Sequence, residues 1–462
     1  MNSRELPKER PATMDEKGRR VWLYVADVRG RFRRLRTQMQ WVLILFFLIL
    51  PWLRWNGNPL ILLDVVHRKF SLLGTVFWAH EAPLLFFILI GAVMAIALAT
   101  VLLGRVWCGY ACPQTVFTDA IFRRIERWIE GDAIARKKLD QGPWNFDRLF
   151  KRSLKWGIFT LAATCIGHSF LAYFVGTDEL LLMIRHSPAE HPESFLVMAF
   201  TTGVTLFDFG WFREQFCTIM CPYGRFQSVL MDDHSWAVVY DTQRGEPRKG
   251  TVLEAEQKLG DCVNCFRCVQ VCPTGIDIRR GLQLECVACT SCIDACDEIM
   301  QKVGKPQGLI RYDTLAGVLG QPKKQIRLRA VLYGGILLLS ILVLTYLLIL
   351  RQPLSVTLIR AIENPYQVVP PEVINHFKVE LANQTGNDLK VEIKMPPEIS
   401  SLIKVVTTTP TLSLKSSEGK RIDIFLKFPQ SLLNSGHLET QILFATPEFK
   451  IQKEIKLIGP LR

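Results

Sequence analysis

The 462 residues contain no glycine-rich dinucleotide fingerprint and no P-loop, so no motif speaks for nucleotide chemistry. No cysteine follows Cys296, which excludes a disulfide framework from the last third of the chain. Acidic residues are outnumbered, 43 against 56 Lys and Arg, giving a net charge of +13. Such a balance can mark a nucleic-acid partner. Here the bases stand beside long apolar runs instead of forming a binding stripe, as membrane topology demands, and no nucleic-acid partner is expected.

Those runs are the first positive feature. A membrane-crossing helix needs about 20 mostly apolar residues. Leu84–Gly104, Trp156–Val175 and Ala330–Leu350 meet that length without charge. Met39–Trp55 carries only Arg54, and Phe195–Phe212 carries only Asp208, for which Arg105 or Arg213 would be the partner. Lys and Arg counts alternate between the runs: 11 in Met1–Met39, two in Trp55–Pro83, 11 in Arg105–Lys155, one in Gly176–Glu193 and 16 in Arg213–Arg329. That alternation predicts five spans with the N-terminus and the segment 213–329 in the cytoplasm, and residues 355–462 on the outer side. The basic flank of the first span reads as an uncleaved anchor. Residues 1–38 form an N-terminal cytoplasmic segment, and its charged, aperiodic part Met1–Gly30 is expected to be mostly disordered.

Twelve of the 13 cysteines fall into four tight clusters. Asp261–Pro273 reads DCVNCFRCVQVCP and Glu285–Asp297 reads ECVACTSCIDACD. Both follow C-x2-C-x2-C-x3-C, the pattern of two-cluster ferredoxins, in which the fourth cysteine of each run serves the other cluster. Cys262, Cys265, Cys268 and Cys296 are thus assigned to one 4Fe–4S cluster. Cys286, Cys289, Cys292 and Cys272 are assigned to the second, within a ferredoxin-type domain spanning about residues 253–305. Zinc also suits thiolates, but eight cysteines in two matched copies favour clusters.

Two further pairs share C-x3-C-P: Cys108 and Cys112 before Pro113, and Cys217 and Cys221 before Pro222. If helicity continues, each pair presents two thiols on one face, and the prolines free a carbonyl or end the helix. The spans would then form two copies of one hairpin. Soft thiolates suit Cu(I), iron–sulfur clusters or zinc. The pairs could form one four-sulfur site, two two-sulfur sites or a disulfide relay, or could simply pack helix interfaces. Cys165 stands alone and reads as packing. His168 falls within the third span, and His67, His80, His186 and His191 fall in the outer loops, where a solvated or hydrogen-bonded role is the simpler one.

After Leu350 the pattern turns to period two. Ser355–Ile362, Phe377–Ala382, Leu389–Met395, Leu402–Thr407, Arg421–Phe428, Leu438–Phe444 and Phe449–Leu457 read as short strands. Seven such strands suggest an immunoglobulin-like sandwich. The fold class expected is a multidomain membrane protein: a five-helix transmembrane bundle, a two-cluster ferredoxin-like insert and a C-terminal all-β sandwich.

In the order of these parts and in both cysteine motifs the chain resembles the cytochrome c oxidase accessory proteins of the CcoG type, also called FixG or RdxA. The resemblance implies a bacterial inner-membrane cupric reductase that supplies Cu(I) for a cbb-type oxidase. It implies Cys108, Cys112, Cys217 and Cys221 as copper or redox thiols, and a periplasmic C-terminal domain. A copper chaperone or copper-exporting ATPase would be the partner, beside membrane lipid, an electron donor of unknown identity and, in one arrangement, a second copy of the chain. Two other functions fit the residues: a quinol-linked subunit feeding a periplasmic reductase, and a non-enzymatic assembly scaffold or metal sensor.

Overall fold

A computed structural model describes residues 13–15, 17–55, 57–66, 69–78, 81–249, 258–322, 327–361, 366–407, 409–416 and 418–460. His67 and His80 lie outside them, as do residues 1–12 of the N-terminal segment and the start of the ferredoxin-type stretch at 253–257. The chain forms two compact units. One holds Met1–Pro51 and Pro83–Thr345, the other Trp52–Ala82 and Tyr346–Arg462.

Among the described residues, five helices are long and apolar enough to cross a membrane: Arg31–Trp52, Pro83–Leu103, Phe146–Val175, Pro192–Phe212 and Leu328–Ile349. Two start earlier than their apolar runs suggest. The third begins at Phe146, where the Asn145 side chain accepts the Arg148 N–H at 2.9 Å. The first begins at Arg31, where the Asp294 carboxylate accepts the N–H groups of Phe32 at 3.2 Å and Arg33 at 2.7 Å. An acidic group at a helix N-terminus is stabilising, and this one comes from the cysteine-rich insert.

Phe122, Phe159 and Phe209 form the aromatic centre of this unit, with ring centroids 4.9 Å apart for Phe122–Phe159 and 5.6 Å for Phe122–Phe209. They knit the segment after the first C-x3-C-P pair to the third and fourth helices. The insert has its own core, in which Val238 and Ile310 of a two-stranded ribbon pack on Ile293 and Met300 of the helix Ser291–Lys302.

The expectation of a mostly disordered Met1–Gly30 fails over its described part. Residues from Thr13 onward are irregular but packed. Trp22 lies between the guanidinium groups of Arg20 and Arg213, at 4.5 and 4.7 Å. Further along, Ala26 donates to the Gln270 carbonyl at 2.9 Å, and Val28 is buried against Val271 and Ala295. Tertiary partners hold this strap, so sequence periodicity gives no sign of it.

In the second unit, two antiparallel sheets enclose a core that includes Leu381, Val391, Leu414, Leu426 and Phe444. All seven expected strands occur, although Ile362 lies outside the described residues. Two more, Gln367–Val369 and Thr411–Leu414, are too short to show a period. The segment between the first two apolar helices is also ordered into a three-stranded meander, Ile61–Asp64, Lys69–Leu72 and Thr75–Trp78. Glu81 beyond it accepts from Arg351 at 2.6 and 2.8 Å.

Candidate electron-transfer site

Both ferredoxin-type runs fold into the same strained loop. The second and fourth residues after the first cysteine take positive φ in each copy: Asn264 and Phe266 at 57° and 57°, Ala288 and Thr290 at 50° and 60°. For non-glycine residues this costs on the order of 1 kcal/mol or more each and persists where surroundings impose it. Backbone bent this way curls around a central object.

Two cavities lie inside those curls. One, of about 360 Å³, is lined by Cys262, Cys265, Cys268 and Cys296 with Tyr240, Phe266 and Arg279. The other, of about 350 Å³, is lined by Cys272, Cys286, Cys289 and Cys292, and Cys268 also reaches it. The grouping of the eight thiols is thus the crossed one expected from the spacing. Among the described residues no three Cys, His, Asp or Glu side chains converge as a single ion requires. Four thiols spread around each cavity without converging on one point suit a polynuclear cluster and not zinc, so the residues fit two 4Fe–4S clusters. Burial pushes the Cys268 thiol up to about 11 and those of Cys286 and Cys296 to about 12.

The surroundings of the two cavities differ. Beside the first, Arg279 is held by Asp277 at 2.8 and 2.7 Å, and Cys265 is exposed. Beside the second, Arg105 donates to the Cys286 carbonyl at 3.1 Å and also to Leu284.

The helix Val106–Tyr110, which carries Cys108, lies directly on the second loop. A Cβ added at Gly109 would stand 2.4 Å from the Ala288 carbonyl oxygen, so only glycine permits this approach. Tyr110 and Thr290 share a hydrogen bond at 2.8 Å, and Arg36 donates to the Gly109 carbonyl at 2.8 Å. From the other pair, Cys217 lines a cavity of about 290 Å³ together with Pro273 and Val287 of the cluster loops.

The C-x3-C-P pairs do not sit on continuous helix, which corrects the continued-helix alternative of the sequence reading. Cys112 and Cys221 are extended, with ψ of 127° and 110°, and cap the helices Pro113–Phe117 and Pro222–Leu230. The preceding helical segments end at Tyr110 and Met220, as expected before proline, and Pro113 and Pro222 start new helices at their first position. The Cys112 sulfur meets the N–H groups of Gln114 and Thr115. All four thiols are electrostatic neighbours of one another. Burial raises each of Cys108 (to about 11), Cys112 and Cys217, and the neighbouring sulfurs add to it. Cys108 also meets the Gln227 side-chain oxygen at 3.4 Å.

Asp208 does not pair with Arg105 or Arg213. It accepts from Gln114 at 3.0 Å, because Arg213 is taken by Glu126 at 3.1 Å and Arg105 by carbonyls. His168 bonds the Thr164 carbonyl of its own helix at 2.9 Å, and His186 meets Glu190 at 3.1 Å on the surface. His191 precedes the helix Pro192–Thr205, and Cys165 is exposed. None of these joins the thiols. Arg36, Tyr110, Gln114 and Gln227 do reach the site, and only Tyr110, inside the first cysteine motif, had a sequence position that could have pointed to it.

Family models agree with these parts. Residues 212–315 match a 4Fe–4S dicluster domain, residues 84–137 a 4Fe–4S binding domain, and residues 344–460 the immunoglobulin-like fold at the C-terminal of FixG. Protein RdxA of Cereibacter sphaeroides is 35% identical over 390 residues, covering 81% of this chain and 82% of its own. Nitrogen fixation protein FixG of Rhizobium meliloti is 39% identical over 65% of this chain and 58% of its own. More distantly, ferredoxin-type protein NapH of Haemophilus influenzae is 24% identical over 60% of this chain and 89% of its own. With its apolar helices, paired cluster loops and C-terminal sandwich, the chain belongs to the FixG/RdxA family of membrane iron–sulfur electron-transfer proteins.

Proposed function

We propose that the protein reduces Cu(II) to Cu(I) at Cys108, Cys112, Cys217 and Cys221, on the cytoplasmic side of a bacterial inner membrane, for assembly of a cbb-type oxidase. The reading is carried by the seating of Val106–Tyr110 on the loop of Cys286 and Cys289, which puts a soft-sulfur site next to a cluster cavity. Bound at the eight ferredoxin-type cysteines, 4Fe–4S clusters supply single electrons. The step is balanced by one electron: copper gains it and the protein's iron–sulfur centre loses it. Paired thiols favour Cu(I) over Cu(II), which adds driving force. The N–H groups of Gln114 and Thr115 favour the Cys112 thiolate once copper displaces the proton. The Lys and Arg distribution supports the assigned sidedness, with the C-terminal sandwich periplasmic and open to oxidase-assembly partners. A copper chaperone or exporting ATPase would take the Cu(I).

Anaerobic stopped-flow mixing of reduced, cluster-loaded protein with Cu(II) tests this, following cluster bleaching and a Cu(I)-specific chelator together. Stoichiometric Cu(I), lost when the four cysteines are changed to alanine with clusters retained, is the expected result. The similarity to a ferredoxin-type protein supports electron transfer in general, and a quinol-linked electron-transfer subunit is the second reading. Clusters that ignore Cu(II) but exchange electrons with a quinone analogue would select it.

A further inference from the structure

We propose that an arginine-walled chamber beside the second cluster loop binds a phosphate-class oxyanion. Among the described residues, the chamber is walled by Arg33, Arg36, Arg123, Arg127 and Arg136 against only two carboxylates, Asp27 and Asp119. The cavity of about 290 Å³ that includes Cys217 shares Arg36, Asp119 and Arg123 with it.

The ion pairs around the chamber do not balance. Asp119 serves Arg33 at 2.5 Å, Arg36 at 3.4 Å and Arg123 at 4.0 Å. Behind the wall, Glu126 serves Arg136 at 2.7 Å, Arg213 at 3.1 Å and Lys155 at 3.9 Å. Glu214 and Glu130 relieve Arg123 and Lys155, so among the described residues of this group six cations meet four carboxylates. Arg127 adds nothing to the surplus, since Asp27 pairs with it at 3.1 Å.

Among the described residues, three donors in these walls also lack acceptors: Arg36 Nη2, Thr118 Oγ1 and Arg136 Nε. Their residues are only 2%, 3% and 6% exposed. Buried donors are seldom left unpaired, and buried charge without a counter-charge is costly. Water could meet the donors, and the neighbouring cluster, when bound, would offset part of the charge from outside the chamber. An oxyanion meets both, and the planar guanidinium fork matches phosphate oxygens two at a time. Because the chamber opens at the end of the apolar helix that starts at Arg31, the same chemistry can arrive as free phosphate or as a phospholipid headgroup. This site stands whether or not copper is the substrate.

The test uses the full, cluster-loaded chain in nanodiscs of phosphatidylcholine, dialysed to equilibrium against radiolabelled inorganic phosphate at fixed ionic strength. One saturable phosphate per chain is expected, displaced by sulfate, with affinity weakened at least tenfold in Arg36→Gln and also in Arg127→Gln. Arg127 is half-buried and at the chamber edge, so the second variant decides if the first does not fold. In parallel, native mass spectrometry of detergent-purified protein looks for a retained phospholipid. A lipid kept by the parent and lost from the same variants assigns the headgroup as the source. Neither phosphate nor lipid bound above the Arg36→Gln level overturns the proposal and leaves the arginines as counter-charges to the neighbouring cluster.

Discussion

Tyr110 and Thr290 share a hydrogen bond of 2.8 Å that ties the helix of Cys108 to the loop of Cys289. One residue earlier, Gly109 allows the contact by having no side chain. Gly109→Ala forces a methyl group against the Ala288 carbonyl, and the two backbones must part. The expected outcome is slowed oxidation of the clusters by any acceptor that uses the membrane-face thiols, with iron content unchanged. Tyr110→Phe removes only the hydrogen bond and should cost about 1 kcal/mol of stability. Stopped-flow bleaching of both variants, compared with urea unfolding midpoints, separates the two effects.

The crossed arrangement of the ferredoxin-type cysteines makes a second prediction. Cys296 lines the cavity of Cys262, Cys265 and Cys268, although it follows the second run. Cys296→Ser and Cys265→Ser, changes in different runs, should therefore impair the same cluster. Cys272→Ser should group with Cys289→Ser. Electron paramagnetic resonance of the reduced proteins, with iron and sulfide analysis, checks this. If Cys296→Ser instead gives the same altered signal as Cys289→Ser, the crossed grouping is wrong.

How far the sequence was legible depended on the range of the interactions. Cysteine spacing is local, so the two cluster loops could be read directly, and the longer period-two strands of the C-terminal unit showed themselves, whereas the five-residue ribbon strands Trp236–Tyr240 and Ile310–Thr314 did not. The C-x3-C-P geometry was open in the sequence between a continued helical face and a helix end at proline, and the second holds, with a new helix starting at Pro113. Arg33 and Arg36 look in the sequence like headgroup anchors. Folding buries them beside Asp119, and no charge count separates those two fates. The strap of Trp22 and Val28 has no local pattern, since its partners Arg213 and Val271 are far along the chain.

In the C-terminal sandwich, Phe444 is fully buried and faces Ile393 and Ile451 across its neighbouring strands. Phe444→Ala leaves a large cavity and should destabilise this unit by about 3–5 kcal/mol. The visible absorption of the cluster-loaded protein should not change, because the cysteines belong to the other unit. Calorimetry of the full chain should show one transition moved down in temperature. A loss of cluster absorption at ambient temperature would contradict the independence of the two cores.

Glu126 is nearly inaccessible and yet ionised. Burial alone would raise its carboxyl, but Arg213 and Arg136, with Lys155 further off, hold it at about 2. Asp119 is likewise buried and is held below the usual carboxylate range by Arg36, Arg33 and Arg123. A carboxyl depressed in the folded protein stabilises it fully above its unfolded value, here 4.5 for Glu126, and loses that contribution as the pH falls toward 2. The size is on the order of 3 kcal/mol for Glu126. Glu126→Gln should therefore unfold more easily at pH 7, and the gap between variant and parent should narrow from pH 4.5 downward. Thermal unfolding of cluster-free protein in detergent at pH 7, 5, 4 and 3 measures that gap without acid loss of iron. A gap that stays constant over this range would mean that Glu126 acts through packing and not through its charge.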